Sequence, residues 1–361
     1  MTGLQIIHTL FSFLPFAVCL FWAICFMAQW RRIDAPKRFM TGYLVTCVAL
    51  YLCHGLFFTL HLPYAMECLW TLCSLSVYPL FYGYLCRLTS SDYTVRQLLI
   101  WLVPGALVAA AKYVFPDAGI DLVRLLLFSV QIVIVCRCGI LKLKAFDRKL
   151  HAVYADTEGR DTTAVHQLLV LIIIVSVLSG MANTVGKQFF GESLWLLVAI
   201  SLAFSSVQFA LGYICFCRNF SIDQLVEDEN EGNEESKNHD KDHTEENFRK
   251  LFEKLMVEDH YFLKHDLKIG DVVKVLGSNR TYVSSYINTT YNCSFSDYMN
   301  RLRVEYAERL LASAPHNTKL SQIAEESGFA SEASFYRNFK KFAGATPADW
   351  QRNAHDAAEK E

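Results

Sequence analysis

Residues 327–344 read SGFASEASFYRNFKKFAG, a pattern that predicts a turn followed by a short helix. Gly328 suits the turn because glycine reaches positive φ without steric cost. Ser331 suits the N-cap, where its hydroxyl can accept a bond from a backbone N–H. Phe335, Phe339 and Phe342 recur at helical spacing and predict the buried face. The outer side of this helix would present Glu332, Ala333, Ser334, Arg337 and Lys341.

The preceding residues, 317–326, complete a helix-turn-helix unit. They read NTKLSQIAEE and predict a first helix that buries Leu320, Ile323 and Ala324. Phe329 would fill the corner between the two helices. Because many small helical domains share such a pattern, this unit alone does not identify a function.

A second copy of this design lies upstream, at residues 266–291, which read DLKIGDVVKVLGSNRTYVSSYINTTY. Gly277 is placed to end its first helix, and Asn279 is placed to cap the second. The first helix would bury Leu267, Ile269, Val272, Val273 and Leu276, and the second Tyr282, Val283, Tyr286 and Ile287. The opposite face of the second helix shows Arg280, Thr281, Ser284, Ser285 and Asn288, which are side chains that hydrogen-bond phosphates and base edges.

A longer helix is predicted between the two units. Residues 294–313, SFSDYMNRLRVEYAERLLAS, place Tyr298, Leu302, Tyr306 and Leu310 on one stripe. This helix would set the distance between the two second helices. If that distance is about one turn of DNA, roughly 34 Å, both helices can enter successive major grooves.

Residues 266–352 resemble the DNA-binding domain of the AraC/XylS family of bacterial transcription regulators. The resemblance is carried by four stretches: NRTYVSSYIN, FSDYMNRLRVEYAERLL, IAEESGF and SFYRNFKKFAGATPADW. It covers about a quarter of the chain and implies binding to the major groove of double-stranded DNA. Members of this family usually carry a soluble sensor domain, so the rest of this chain departs from the pattern and puts a sugar-type effector in doubt.

The resemblance also implies which side chains contact DNA. Ala333 could offer only a methyl contact, and Glu332 could accept a bond from cytosine N4 or merely cap its helix. Lys340 and Lys341 are better candidates for phosphate contacts. Base contacts are implied for four residues of each unit: Arg280, Thr281, Ser284 and Ser285, and Glu332, Ala333, Ser334 and Arg337.

The charge of this region is modest. Residues 266–352 hold eleven Lys and Arg against nine Asp and Glu, a balance of +2. Non-specific affinity for DNA should therefore be small, and most binding should come from the two reading faces. Two domains side by side would raise the affinity, so a homodimer is expected.

The first 218 residues have a different composition, with long apolar runs that explain the 53% hydrophobic content of the chain. A helix needs about 20 apolar residues to cross a bilayer. Eleven of the twelve cysteines lie in or beside these runs, where cysteine behaves as a small hydrophobe. Seven spans are predicted, at residues 4–30, 39–62, 68–86, 98–115, 119–136, 166–186 and 194–217.

The loops between the predicted spans alternate in charge. Basic residues are concentrated in the loops after spans 1, 3 and 5, and the last of these loops runs from Arg137 to Arg160. The other loops are nearly free of Lys and Arg. Because basic loops stay in the cytoplasm, the N-terminus is expected outside and the C-terminus inside. Together with the resemblance to a bacterial family, this orientation implies a location in the bacterial inner membrane.

An acidic stretch separates the two halves. Residues 222–246 hold eleven acids against Lys237 and Lys241, a composition that predicts a solvated, flexible linker. An amphipathic helix follows at residues 248–262, and we interpret it as the first packing helix of the soluble domain, with a dimerisation helix as the alternative. The expected domains are thus a membrane domain at 1–218, a linker at 219–246 and a DNA-binding domain at 247–361 with its core at 266–352.

Four polar residues in the predicted spans are candidates for sensing a signal. Charged groups inside a bilayer are costly and often functional. Lys112 and Arg124 lie within spans, and His54 and Asn183 lie towards the same outer side. They could line a pocket for a small molecule or an envelope signal, or they could simply reach the interface.

The expected fold class is all-α: a bundle of seven transmembrane helices and a cytoplasmic domain with two helix-turn-helix units joined by a linker helix. The chain has no Walker loop and no GxSxG motif, so we expect neither an enzyme nor a bound cofactor. The sequence favours a membrane-anchored transcription regulator. The alternative is a membrane receptor or transporter whose C-terminal domain binds a protein.

Overall fold

The computed structural model describes residues 3–60, 64–115, 119–156, 193–218, 222–226, 245–313, 315 and 318–358, with some residues between 163 and 173. The chain forms two compact units. One unit holds residues 1–145 and 162–222, and the other holds residues 146–161 and 223–361. Within the described ranges both units are all-α, with one isolated β-bridge and no strand, as predicted.

The N-terminal unit is built from long apolar helices. The helices are α1 (Gly3–Ala28), α2 (Ala35–Leu60), α3 (Tyr64–Thr89), α4 (Val95–Val114), α5 (Ile120–Val153) and α6 (Leu194–Cys217). The helix α2 packs against α1 and α3, α3 packs against α4, and α1 also contacts α6. Rings of α1 and α6 meet at Trp22 and Phe216, whose centroids are 5.6 Å apart.

The outer surface of this unit is apolar. Large hydrophobic side chains such as Leu10, Ile100, Leu107 and Val133 are exposed along its helices. Among the described residues, six helices are long and apolar enough to cross a membrane. They coincide with six of the seven predicted spans, and the other predicted span, 166–186, lies largely outside the described residues.

The fifth helix is longer than predicted. We expected a loop from Arg137 onwards, but α5 continues as one helix to Val153. The reason is an apolar stripe in the charged stretch, because Phe146, Leu150 and Val153 are all buried while the basic residues between them face outwards. The loop was predicted from the number of charged residues, and the helical spacing of the apolar residues between them was not considered.

The C-terminal unit contains the predicted helix-turn-helix pairs. A short helix, α7 (Glu245–Glu253), comes first and continues through a π-helical turn at Lys254–Glu258 and a 3-10 turn at Tyr261–Leu263. Most of the predicted linker, 219–246, lies outside the described residues. The remaining helices are α8 (Ile269–Leu276), α9 (Arg280–Tyr291), α10 (Phe295–Ser313), α11 (Leu320–Glu326), α12 (Glu332–Ala343) and α13 (Pro347–Ala358).

The predicted helix ends are confirmed at the atomic level. The Asn279 side chain accepts a bond from the Tyr282 amide at 2.8 Å, and the Ser331 hydroxyl accepts one from the Ser334 amide at 3.1 Å. Each cap satisfies an amide that has no partner inside its own helix. Gly277 ends α8 in the left-handed conformation, with φ of 57°.

Two buried cores hold this unit together. The second helix-turn-helix closes on α10, where Phe329, Phe335 and Phe339 pack with Val304 and Leu311. The first helix-turn-helix unit buries the apolar residues that were predicted for its first helix, together with Val283 and Ile287 of α9. The helix α7 contributes buried Phe248 and Phe252, so it packs as part of this domain, as we interpreted it from the sequence.

Candidate nucleic-acid interface

The exposed face of α12 is one candidate DNA-binding surface. Its first turn presents Glu332 and Ala333, and its middle and end present Arg337, Lys340 and Lys341. Glu332 lies in the first turn, where a carboxylate suits the positive end of the helix dipole. The opposite face is anchored by Phe335 and Phe339 in the core, so the outward direction of α12 is fixed by packing.

Ser334 does not lie on this surface. Its side chain is 0% exposed, and Asn338 Nδ2 approaches both its carbonyl oxygen at 3.0 Å and its hydroxyl at 3.3 Å. The prediction that Ser334 faces outwards is therefore wrong. Residue spacing was not enough to predict its burial, because a small serine at the edge of the phenylalanine core can be covered by neighbouring residues.

A tyrosine lies on the exposed face of α12. Tyr336 is 38% exposed on the outer side of α12, next to Arg337. Its ring meets the edge of Phe335, with centroids 5.7 Å apart, which limits its rotation. Tyr336 was not predicted on this surface because an aromatic residue beside a buried phenylalanine is usually part of the core.

The helix α9 carries the other candidate DNA-binding surface. Thr281 and Ser285 are exposed, and Arg280 and Ser284 are partly exposed. Tyr282 is 38% exposed, against the prediction that it is buried. Its ring nevertheless packs edge-on against Phe248 of α7 at 4.7 Å, so α7 supports α9 from the side.

The turn of the second unit depends on glycine. Gly328 has φ of 79°, and a Cβ at this position would lie 2.6 Å from the carbonyl oxygen of Leu263. Gly277, in the corresponding turn of the first unit, has φ of 57° and open space around it. Both turns need positive φ, but only the second also needs the close approach of another backbone segment.

A buried arginine ties α10 to the segment before α8. Arg303 is 0% exposed and donates from Nε to the Phe262 carbonyl and from Nη2 to the Lys264 carbonyl, each at 2.8 Å. Burial lowers the pKa of Arg303 to about 10, while attraction to Asp156 and Asp266 opposes that change. The guanidinium therefore stays charged at neutral pH and holds α10 against the entry of the first unit.

In the N-terminal unit, the structure brings two of the four sensing candidates together. Lys112 and Arg124 are buried and share one carboxylate, with Asp121 Oδ1 2.8 Å from Lys112 Nζ and 3.2 Å from Arg124 Nε. Glu67 Oε2 lies 3.4 Å from Lys112 Nζ, and the Arg124 guanidinium lies 4.6 Å from the Trp70 ring.

The cluster of Glu67, Lys112, Asp121 and Arg124 joins α3, α4 and α5 with compensated charges, as buried ions require. The other two sensing candidates are not part of this cluster as the described residues define it. His54 is partly buried on α2, and Asn183 lies outside the described residues.

Comparisons with known proteins agree with this geometry. A helix-turn-helix domain family matches residues 272–353. The uncharacterized HTH-type transcriptional regulator YtdP of Bacillus subtilis (strain 168) is 29% identical over 93 residues, which are 26% of this chain and 12% of YtdP. YisR of the same strain, also an uncharacterized HTH-type transcriptional regulator, is 30% identical over 96 residues, which are 27% of this chain and 32% of YisR.

A solved structure is also similar in sequence. It is a protein of unknown function from Listeria innocua, 27% identical, and the match covers 29% of this chain and 93% of that chain with a TM-score of 0.26. The chain matches about a third or less of the length of the curated relatives YtdP and YisR.

The C-terminal part of this chain therefore contains an AraC-type helix-turn-helix domain. The domain and its relatives support a DNA-binding transcription regulator. The resemblance seen in the sequence is thus confirmed for the C-terminal domain, and the six apolar helices of the N-terminal unit suggest association with a membrane.

Proposed function

We propose that this chain is a membrane-anchored transcription regulator that reads DNA with α9 and α12. The observation that carries the proposal is the presence of two capped helix-turn-helix units and an apolar helical unit in one chain. The capped helices expose polar and basic side chains, whereas the apolar unit exposes large hydrophobic ones.

The proposed base contacts are Arg280, Thr281, Ser284 and Ser285 of α9, and Ala333 and Arg337 of α12. Arginine is suited to bidentate contact with guanine, and the threonine and serine hydroxyls can bond either base type. Lys340 and Lys341 would contact phosphate, and Glu332 would serve its helix more than a base. Ser334 is not among the proposed contacts because it is buried.

The proposed location is a bacterial inner membrane, with the helix-turn-helix domain in the cytoplasm. Basic residues are concentrated after α1, after α3 and after the apolar part of α5, and basic loops stay in the cytoplasm, where DNA also lies. A homodimer would place two DNA-binding domains on one DNA site. The cluster of Glu67, Lys112, Asp121 and Arg124 would be where a small molecule or an envelope signal acts on the helices.

The test is to map the genomic sites that the full chain cross-links in intact cells. We compare the wild type with the double variant Arg280→Ala, Arg337→Ala, and use Lys149→Ala, an exposed change in α5, as the matched control. Discrete sites that persist in the control and vanish in the double variant support the proposal. Identical maps for the wild type and the double variant contradict it, and would favour a protein-binding role for the domain.

A further inference from the structure

The stretch that follows α5 belongs by its contacts to the C-terminal unit. Tyr154 forms an isolated antiparallel bridge with Lys268, and the Ala155 amide donates to the Leu267 carbonyl at 2.9 Å. Tyr154, Ala155 and Asp156 are all buried. This tripeptide is therefore seated within the domain and does not lie loosely on its surface.

The same tripeptide is held from its other side by α10. The Ala155 carbonyl accepts bonds from Ser296 Oγ at 2.8 Å and from Asn300 Nδ2 at 2.7 Å. Ser296 and Asn300 are themselves buried, and Asn300 Nδ2 also lies 3.2 Å from Ser296 Oγ. Both backbone groups of Ala155 thus have partners in the helix-turn-helix domain, and losing one of these partners would leave a buried polar group unsatisfied.

Charge adds to this arrangement. Asp156 is 3% exposed, and its carboxylate attracts the buried Arg303 guanidinium. Arg303 in turn holds the carbonyls of Phe262 and Lys264. Lys268 Nζ lies 5.9 Å from the centre of the Tyr154 ring. A buried arginine without an anion nearby is costly, and the tripeptide supplies one of the two carboxylates, Asp156 and Asp266, that attract Arg303.

We infer that residues 154–156 form a docking segment that couples α5 to the DNA-binding domain. The segment bridges the entry to the first helix-turn-helix unit, at Leu267 and Lys268, and the linker helix α10, at Ser296 and Asn300. It thereby braces the entry to α8 against α10. Its partner surface accepts one extended tripeptide by backbone pairing, and the occupant is this chain itself.

The docking segment leaves the reading helices free. The bonds that hold Ala155 end on Leu267, Ser296 and Asn300, none of which lies on α9 or α12. The segment can therefore stay docked while DNA is bound. Because Val153 ends α5, a movement of that helix would reach the brace directly through the backbone. This role deepens the proposed function and rests on it.

The first experiment measures docking without DNA. Hydrogen exchange of the Ala155 amide is followed in the full chain, in nanodiscs of phosphatidylethanolamine and phosphatidylglycerol. We expect protection in the wild type and in Lys149→Ala, and exchange about tenfold faster or more in the double variant Ser296→Ala, Asn300→Ala. An unprotected Ala155 amide in the wild type, or equal rates in the wild type and the double variant, would overturn the docking.

The second experiment measures coupling, using a duplex that carries a site mapped from cells. The variant Ala155→Pro removes the amide that donates to Leu267 and leaves every residue of the helix-turn-helix domain unchanged. We expect the full chain with this change to bind the duplex about fivefold more weakly than the wild type, as loss of one net hydrogen bond would give. Unchanged or tighter binding would overturn the bracing role.

The two experiments also separate this inference from the proposed function. If the wild type protects the Ala155 amide but binds no mapped duplex, the proposed function fails and the coupling role fails with it, while docking stands. If the wild type binds the duplex but Ala155 is unprotected, the proposed function stands and the docking segment is excluded.

Discussion

Lys341, in the last turn of α12, forms an ion pair with Asp297 at the beginning of α10, with Nζ and Oδ1 2.6 Å apart. The pair ties α12 to α10. Both side chains are partly exposed, so the pair contributes at most about 1 kcal/mol to folding. The same ammonium group is a candidate for phosphate contact, and its two roles can be separated by experiment.

We predict that Lys341→Ala and Asp297→Ala differ in their effect on DNA binding. If Lys341 contacts a phosphate, its loss weakens binding to all sequences and lowers the slope of log K against log salt by about 1. Asp297→Ala keeps the lysine and should leave that slope unchanged. The measurement is a salt titration of duplex binding by fluorescence anisotropy. Equal slopes for Lys341→Ala and the wild type would remove Lys341 from the interface.

We predict that Arg337 determines sequence preference, whereas Lys340 does not. Arg337→Ala should cost about 1–3 kcal/mol of binding free energy at a mapped site and relax the preference at one base pair. Lys340→Ala should weaken cognate and scrambled duplexes by the same factor. Competition binding with a set of single-base variants measures both. If Arg337→Ala and the wild type show the same relative affinities across the single-base variants, the base contact is contradicted.

The two turn glycines give a matched pair for stability. Gly277→Ala should cost about 1–2 kcal/mol, because alanine is strained at positive φ but meets no neighbour. Gly328→Ala should cost more, because the added methyl group would also meet the Leu263 backbone. Hydrogen exchange of the α10 amides in the full chain reports the loss of unfolding free energy. A smaller loss for Gly328→Ala than for Gly277→Ala would show that the Leu263 contact relaxes freely.

The charge cluster of the N-terminal unit should affect signalling and not DNA recognition. Lys112→Ala leaves Asp121 and Glu67 without a shared cation, and Arg124→Ala removes the second partner of Asp121. We expect each variant to change the output of a reporter placed behind a mapped site, with the mapped sequence unchanged. Lys149→Ala is the control, and immunoblots of the membrane fraction verify equal amounts. Unaltered reporter output in both variants would contradict a sensing role.

Much of the C-terminal domain could be predicted because its signals are local. Helix caps need one side chain at one position, and Asn279 and Ser331 occupy those positions as expected. The phenylalanine spacing likewise fixed the buried face of α12. The errors at Ser334 and Tyr282 have a common cause. Helical spacing gives the direction of a side chain, but its exposure depends on which neighbouring element covers it.

The segment after α5 could not be predicted for a different reason. A single bridge of three residues has no periodicity, and its partners Leu267, Ser296 and Asn300 are more than 100 residues away in the sequence. Arg303 was likewise overlooked. A charged residue in an amphipathic helix normally faces solvent, and only tertiary structure shows that this one satisfies two buried carbonyls.

The most direct test of the account is a binding measurement on the full chain in nanodiscs. A duplex with a mapped site is compared with a scrambled duplex of equal length, at one fixed salt concentration. The account predicts a Kd of about 10⁻⁸ M or lower for the mapped site and binding weaker by at least about a factor of 10³ for the scrambled duplex. Equal affinity for both duplexes, or no binding to either, would contradict a sequence-specific regulator anchored in the membrane.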